Sequence, residues 1–129
     1  MYTLLIADDE AMIREGLKHL LDWNALGFAL CGEASTGKQT YQQMMTLAPD
    51  VVLLDIRVPE MTGLEVIRLA RENGFAGKVI ILSGYSDFKL AQQAIRYGVS
   101  NYLTKPIDEE ELGEQLAAIR RELDQACMA

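Results

Sequence analysis

Half of the 129 residues are apolar, 24% are charged, and the formal net charge at pH 7 is −7. This length and composition predict one globular domain with its own core, and no apolar run approaches the ~20 residues of a membrane helix. The acidic balance argues against direct nucleic-acid binding, because phosphate contacts need clustered lysine and arginine. A strand is predicted within two residues of the start, so we expect no signal peptide and a cytoplasmic domain.

Apolar runs of strand length alternate with stretches of helical periodicity along the whole chain. The five predicted strands cover 2–6, 28–34, 51–55, 79–83 and 101–104. Five predicted helices follow them in turn, over about 12–21, 37–47, 62–70, 87–97 and 108–123. Strands of nearly continuous Val, Ile and Leu that alternate with helices predict a parallel sheet covered by helices on both faces.

Residues typical of helix ends mark several of these boundaries. Thr62 and Glu65 form a Thr-x-x-Glu capping box, and Asp108 with Glu111 offers an aspartate variant for the last helix. Gly98 follows the fourth predicted helix, at a position where glycine commonly ends a helix. The sequence therefore predicts an α/β domain built from five strand–helix units.

Four of the predicted strands lead into side chains suited to phosphoryl chemistry. Asp8 and Asp9 follow the first strand, and Asp55 ends the third. Ser83 ends the fourth strand, and Lys105 follows the fifth. Ligands of open parallel sheets gather beyond the carboxyl ends of the strands, so we expect these five side chains to converge on one site.

The three carboxylates of this predicted site require a cation, or a proton on one of them. At ~4 Å, each pair repels by roughly 4 kcal/mol at an effective dielectric of 20. Aspartate carboxylates completed by water are the ligands that Mg²⁺ prefers, with Mn²⁺ as an alternative. A carboxylate can also attack phosphorus to give an aspartyl phosphate. Lys105 offers a point charge to a phosphoryl oxygen, and Ser83 offers a hydroxyl donor.

Taken in order, these residues resemble the receiver domain of two-component response regulators. The resemblance is carried by Asp8-Asp9, by the run 54–63 around Asp55, by Ser83-Gly84 and by Lys105-Pro106, and it extends over about 2–123. It implies a flavodoxin-like (βα)5 three-layer sandwich whose parallel sheet has the strand order 2-1-3-4-5. It also implies a phosphorylation-controlled signalling switch rather than a turnover enzyme.

The resemblance implies a role for each residue of the acidic cluster. Asp55 is the expected phosphoacceptor, and it takes its phosphoryl group from the phosphohistidine of a sensor histidine kinase. Asp8, Asp9, Asp55 and the backbone carbonyl of Arg57 are the expected ligands of Mg²⁺ or Mn²⁺. No such assignment follows from Asp8-Asp9 alone, since paired aspartates are common.

The resemblance also implies which residues contact the phosphoryl group and which change conformation afterwards. Lys105 and Ser83 are expected to contact the phosphoryl group, and the Lys105-Pro106 bond is expected to be cis. Movement of the Ser83 hydroxyl is linked in the family to an aromatic residue that turns inward, which here corresponds to Tyr102. The helix over 87–97, the strand at Tyr102 and the last helix form the surface expected to change, and a homodimer through that surface is possible in the family.

A finer resemblance indicates which kind of output domain such a receiver controls. The segments 21–28 and 82–88 resemble receivers that precede an AraC-type helix-turn-helix domain. The expected partners are a sensor kinase and a C-terminal DNA-binding output domain that lies outside this chain, with no membrane partner. We predict a receiver over 1–125 and a tail or linker start over 126–129. An excised receiver is favoured over a single-domain regulator.

Two positions depart from the commonest receiver pattern, and two other functions stay open. Arg57, two residues past the acceptor, and Tyr85, two past Ser83, could both screen the site from water, so the phosphoryl lifetime is not implied. An aspartate-nucleophile phosphohydrolase would use similar groups, but it places Asp-x-Asp after the first strand. A receiver-like module that has lost phosphorylation typically lacks an acid or the lysine, and here all are present.

Overall fold

Five parallel strands form the centre of the molecule, and the computed structural model describes residues 1–128 of it, apart from the side chains of Tyr85 and Met128. The strands are β1 Tyr2–Ala7, β2 Phe28–Ala34, β3 Val51–Asp55, β4 Lys78–Ser83 and β5 Asn101–Thr104. Their order in the sheet is β2-β1-β3-β4-β5, and every neighbouring pair is parallel. The predicted flavodoxin-like strand order is therefore confirmed.

Six α-helices connect or follow the strands within the described residues. They are α1 Ala11–Leu20, α2 Trp23–Leu26, α3 Gly37–Leu47, α4 Gly63–Glu72, α5 Phe88–Ala94 and α6 Glu109–Met128. Short 3-10 turns, Tyr85–Asp87 and Ile95–Tyr97, flank α5, so the predicted helix over 87–97 is α-helical only in its middle. None of the helices in this part of the chain has the length and apolar character needed to cross a membrane.

The short helix α2 is an element that the sequence pattern did not predict. The carboxylate of Asp22 accepts the N–H of Ala25 at 3.2 Å, which caps the start of the helix. Trp23 is buried, and its indole N–H donates to the carbonyls of Leu17 and Lys18, at 3.2 Å each. A helix of four residues is too short to show the apolar repeat that reveals longer helices.

Alternate residues of each strand face two separate apolar cores. In β1, Leu5 and Ala7 belong to the core beneath α3, α4 and α5, whereas Leu4 and Ile6 belong to the core beneath α1, α2 and α6. Helices therefore cover both faces of the sheet, which gives three layers. Because both faces are buried, the strand sequences are almost continuously apolar rather than alternating.

Side chains cap two helices where the sequence predicts them. Thr62 accepts the N–H of Glu65 at 3.2 Å at the start of α4, and Asp108 accepts the N–H of Glu111 at 2.9 Å at the start of α6. Gly98 follows the second 3-10 turn with a φ of 77°, a left-handed conformation that glycine adopts without steric cost. Local hydrogen bonding therefore explains these boundaries.

The last helix extends beyond its predicted apolar stripe. α6 buries Leu112 and Leu116 in the core, and it continues to Met128. Three of the four residues in the predicted tail, 126–129, are thus helical. Ala129 lies outside the described residues.

The guanidinium of Arg71 joins α4 to two loops at the end of the sheet opposite the predicted site. Its Nε donates to the carbonyl of Tyr97 at 2.8 Å, and its Nη2 donates to that of Gly98 at 3.1 Å. Its Nη1 donates to the carbonyls of Phe75 at 2.8 Å and Gly77 at 2.9 Å. Burial lowers the pKa of Arg71 from its ordinary value. One side chain thereby satisfies four backbone acceptors.

We expect Arg71→Met to lower the free energy of unfolding by about 2–4 kcal/mol, because it leaves these carbonyls without donors. Arg68→Met is the matched control, since Arg68 is an exposed residue of the same helix that pairs with Glu72 at 3.3 Å. Its loss should stay below about 0.5 kcal/mol. Urea unfolding of the two variants measures both values, and equal losses would contradict this role of Arg71.

Candidate functional site

The carboxyl ends of β1 and β3 bring three carboxylates together. One carboxylate oxygen from each of Asp8, Asp9 and Asp55 lies within 4.8 Å of the others. Ala7 is the register partner of Leu54, so the residue after each of these lies at the same edge of the sheet. Asp8 and Asp55 are buried, with exposed fractions of 0% and 5%, whereas Asp9 is exposed.

The ammonium of Lys105 lies between the two buried carboxylates. Its Nζ is 2.9 Å from Oδ2 of Asp8 and 3.2 Å from Oδ2 of Asp55. Lys105 follows β5, and its backbone N–H donates to the carbonyl of Ser83 at 2.8 Å. The Lys105-Pro106 peptide bond is cis. The structure therefore places Lys105, Asp8 and Asp55 in direct contact, with the strand end that carries Ser83 beside them.

Burial and charge act in opposite directions on the groups of this cluster. Burial raises the pKa of Asp55, and the charge of Asp8 adds to this, against the N–H of Arg57 and the charge of Lys105. Burial alone lowers the pKa of Lys105, but its hydrogen bond to Asp8 and the charge of Asp55 outweigh that effect, so the pKa of Lys105 is raised. One ammonium thus partly offsets three carboxylates.

This donor set fits a hard divalent cation. All three side-chain donors are carboxylate oxygens, which Mg²⁺ and Mn²⁺ prefer to nitrogen or sulfur. Their mutual distances, within 4.8 Å, are short enough for one ion to bind all three. Three carboxylates with one ammonium leave an excess of negative charge, so a further cation is electrostatically favourable.

The loop after β3 is fixed on both sides of Asp55. The N–H of Arg57 donates to Oδ1 of Asp55 at 3.1 Å, and the N–H of Ile56 donates to the carbonyl of Leu82 at 3.0 Å. Gly63 donates to the carbonyl of Ile56 at 2.8 Å, and a Cβ at Gly63 would lie only 2.8 Å from the Cα of Ile56. Only glycine lets the start of α4 approach this loop so closely.

The loop after β1 is held by α1. Oδ1 of Asp8 accepts the N–H of Glu10 at 3.0 Å. Nη1 of Arg14 donates to the carbonyl of Asp8 at 2.7 Å, and its Nε binds Oε1 of Glu33 at 3.0 Å. Arg14 and Glu33 were not predicted as site residues, because neither a contact with a backbone carbonyl nor an ion pair between distant residues leaves a signal in a sequence pattern. Both residues steady the turn that carries Asp8.

Glu33 at the end of β2 binds two cations of α1. Lys18 and Arg14 both form ion pairs with its carboxylate. The hydrogen bond from Lys18 is the main cause that lowers the pKa of Glu33; burial opposes it, and the hydrogen bond from Arg14 and the charges of both cations lower the pKa further. The ionised Glu33 thus holds α1, whose Arg14 contacts the loop that carries Asp8.

A cleft opens beside Ser83 at the ends of β4 and β5. Ser83 is buried, with an exposed fraction of 1%. The cleft has a volume of about 480 Å³ and is lined by Ser83, Gly84, Phe88, Tyr102 and Thr104. Tyr102 is half-buried and meets the exposed Phe88 edge to face, with ring centroids 5.9 Å apart. The hydroxyl-bearing residue and the predicted switch aromatic therefore border the same space.

An ion pair that the sequence analysis missed joins the loops after β3 and β4. Nε of Arg57 lies 2.5 Å from Oδ1 of Asp87. The sequence pattern placed Asp87 only at the start of a helix, although Arg57 was identified as a departure from the receiver pattern. The predicted screening role of Tyr85 concerns a side chain outside the described part of the structure.

The strand order of the sheet and the charged site at its carboxyl edge are typical of one class of protein, and comparison with known families identifies the same class. The response regulator receiver domain family matches residues 4–117. The chain belongs to this family, and phosphoryl acceptance is the family's function. It is therefore the receiver domain of a two-component response regulator.

Several proteins that are similar to this chain are transcriptional regulators or domains of response regulators. The transcriptional regulatory protein YesN of Bacillus subtilis is 37% identical over 123 residues, which are 95% of this chain and 33% of YesN. The REC domain of AraT, a response regulator from Geobacillus stearothermophilus, is 38% identical with a TM-score of 0.91 over 97% of each chain. A two-component transcriptional regulator AraC from Clostridium phytofermentans is 32% identical with a TM-score of 0.86 over 97% of each chain. The chain thus spans about a third of the length of YesN.

We expect Lys105→Met to lower the free energy of unfolding by about 2–4 kcal/mol in metal-free buffer, because two buried carboxylates lose their counterion. Millimolar Mg²⁺ should restore most of this loss, since an ion that binds only the folded state stabilises it. Lys78→Met is the control, because Lys78 pairs with Glu122 at 3.0 Å near the surface. Urea unfolding with and without Mg²⁺ measures the effect. A loss that Mg²⁺ leaves unchanged would contradict the proposed charge balance.

The ion pairs of Glu33 make the stability of the fold depend on pH. The pKa of Glu33 is lower in the folded protein than its ordinary value of 4.5. Its ion pairs therefore stabilise the fold above pH 4.5, and this stabilisation is lost as the pH falls through the folded pKa. Glu33→Gln should cost up to about 1 kcal/mol at pH 7, since solvent screens the pairs.

Urea unfolding of wild type and Glu33→Gln from neutral to acidic pH tests this sign. The two stabilities should converge as the pH falls below 4.5. Glu114→Gln, at an exposed position of α6, should show no such convergence. A difference between wild type and Glu33→Gln that grows on acidification would contradict the prediction.

Proposed function

We propose that this receiver domain accepts a phosphoryl group from a sensor histidine kinase on Asp55 and thereby controls a transcriptional output. The observation that carries the proposal is the contact of Lys105 with the buried carboxylates of Asp8 and Asp55 at the carboxyl edge of the sheet. Such an arrangement supplies a carboxylate nucleophile and a cation in one place. Family membership supports the same chemistry.

We place the divalent cation on the acidic cluster. Asp8, Asp9, Asp55 and the backbone carbonyl of Arg57 are the proposed ligands of Mg²⁺ or Mn²⁺. When bound, the ion offsets the repulsion between the acceptor carboxylate and the incoming phosphoryl group. The proximity of the three carboxylates supports this assignment.

In the proposed transfer, a carboxylate oxygen of Asp55 forms the new P–O bond as the P–N bond of the phosphohistidine breaks. Oδ1 of Asp55 accepts the N–H of Arg57, which orients the carboxylate. Lys105 exchanges its contact with Asp55 for a phosphoryl oxygen, where its charge is needed after transfer. Ser83 donates its hydroxyl to another phosphoryl oxygen. The domain thus promotes its own phosphorylation while acting as a switch rather than as a turnover enzyme.

The cleft beside Ser83 supports the proposed switch. Movement of the Ser83 hydroxyl toward the phosphoryl group changes the wall of the cleft, which has a volume of about 480 Å³. This space can accept the ring of Tyr102, whose present neighbour is the exposed Phe88. The altered surface would comprise α5, β5 and α6, and a homodimer would form through it. A shift between two existing conformations describes such a change.

We further propose that residues 1–125 form the receiver unit and that 126–129 lead toward a C-terminal DNA-binding domain. The support is that the relatives are transcriptional regulators and that this chain matches 33% of the length of YesN. A net charge of −7 agrees with a receiver that does not itself bind DNA. The kinase and the output domain would meet the receiver in the cytoplasm.

The phosphorylation of Asp55 is tested by intact mass after incubation with acetyl phosphate and Mg²⁺. Wild type should gain one phosphoryl group, whereas Asp55→Asn or removal of Mg²⁺ should abolish the gain. Asp22→Asn is the control, because asparagine also caps helices and Asp22 is exposed. It should be labelled like wild type. Labelling of Asp55→Asn at the wild-type rate would contradict the assigned acceptor.

A further inference from the structure

An ion pair links the loop that carries the proposed acceptor to the turn that follows Ser83. Nε of Arg57 lies 2.5 Å from Oδ1 of Asp87. The two partners differ in exposure, because the side chain of Arg57 is 62% exposed and that of Asp87 only 7%. Arg57 can therefore leave the pair and be hydrated by water, whereas Asp87 cannot.

Asp87 is part of the backbone turn rather than a side chain resting on its surface. It is the last residue of the 3-10 turn Tyr85–Asp87 and immediately precedes α5. Its N–H donates to the carbonyl of Gly84 at 3.1 Å, and a Cβ at Gly84 would lie 3.4 Å from its Oδ2. A change in the surroundings of the Asp87 carboxylate therefore acts directly on the turn between Ser83 and α5.

Arg57 also contacts Asp55, the residue proposed to be phosphorylated. Its backbone N–H donates to Oδ1 of Asp55 at 3.1 Å, and its side chain starts from that point. A phosphorylated Asp55 has a larger negative charge than a carboxylate and three further acceptor oxygens. A guanidinium binds such a group in bidentate fashion, and it is less strongly hydrated than an ammonium.

We infer that Asp87 is a positioning residue for the reaction at Asp55, acting through Arg57, and that the phosphoryl group competes with it for the guanidinium. The inference rests on the proposed function of Asp55. Before phosphorylation, Asp87 holds Arg57 at the turn. After phosphorylation, Arg57 moves toward the phosphoryl oxygens and leaves a buried carboxylate without its counterion. That state is unfavourable, so the turn rearranges and carries the start of α5 with it.

Thermodynamic linkage makes this competition measurable. If a phosphoryl group weakens the Arg57–Asp87 pair, removal of the pair's acidic partner must favour binding of a phosphoryl analogue by the same factor. Beryllofluoride, with Mg²⁺ present, is the analogue. Asp87→Asn should bind it about 5–10-fold more tightly than wild type, the lower part of the usual range for coupled sites.

A double-mutant cycle identifies the route of the effect. In an Arg57→Met background, Asp87→Asn should give no gain in beryllofluoride affinity, because the guanidinium that Asp87 restrains is absent. Asp22→Asn removes an exposed aspartate elsewhere and should bind with wild-type affinity. Titration calorimetry of the full chain measures all affinities. Wild-type affinity for Asp87→Asn, or a gain that survives in Arg57→Met, would overturn the inference.

The Nε–H resonance of Arg57 provides a second test in the wild-type chain, which does not depend on the folding of Asp87→Asn. The resonance, assigned by its loss in Arg57→Lys, should shift when beryllofluoride binds, since the N–H changes its acceptor. An unchanged resonance in protein saturated with beryllofluoride would overturn the competition. If wild type neither binds beryllofluoride nor is labelled by acetyl phosphate, the proposed function itself fails and the inference fails with it.

Discussion

The site depends on two carboxylates buried side by side that share one ammonium. Asp8 and Asp55 have exposed fractions of 0% and 5%, and both contact Lys105. A parallel sheet makes this possible because it brings the ends of β1, β3 and β5 to one edge. The surroundings of the cluster are built to hold it, through the contact of Arg14 with the first loop and the close approach of Gly63 to the second. The domain thereby keeps negatively charged carboxylates close together, at the place where a cation can bind and a phosphoryl group can be accepted.

The same edge of the sheet connects the charged cluster to the surface. The backbone N–H of Lys105 donates to the carbonyl of Ser83, and Ser83 and Tyr102 both line the same cleft. The Arg57–Asp87 pair forms a second connection, which reaches α5 through the turn before it. Both connections begin at the proposed acceptor and end on the α5–β5 surface. A redistribution of charge at Asp55 therefore has short physical routes to that surface.

The sequence allowed the strands and the residues at their carboxyl ends to be predicted, because these features depend on apolar periodicity and on which residues follow each strand. The strand order was predicted only through the resemblance to receiver domains, since periodicity does not say which strands are neighbours. The two capped helix starts were predictable because a capping side chain binds a backbone N–H only three residues further along the chain, as Thr62 does. α2 was missed because four residues give no periodicity. The roles of Arg71 and Asp87 were missed because their partners are backbone carbonyls or a side chain far along the chain. Long side chains reach such partners in ways that residue spacing does not encode.

A crystal structure of the chain with Mg²⁺ and beryllofluoride would test the role of the acidic cluster most directly. We predict that the analogue binds Asp55, that Nζ of Lys105 moves from the Asp55 carboxylate to the analogue, and that the Ser83 hydroxyl donates to it. A structure in which Lys105 still bridges Asp8 and Asp55 while the analogue binds elsewhere would contradict the assignment of Asp55 as phosphoacceptor.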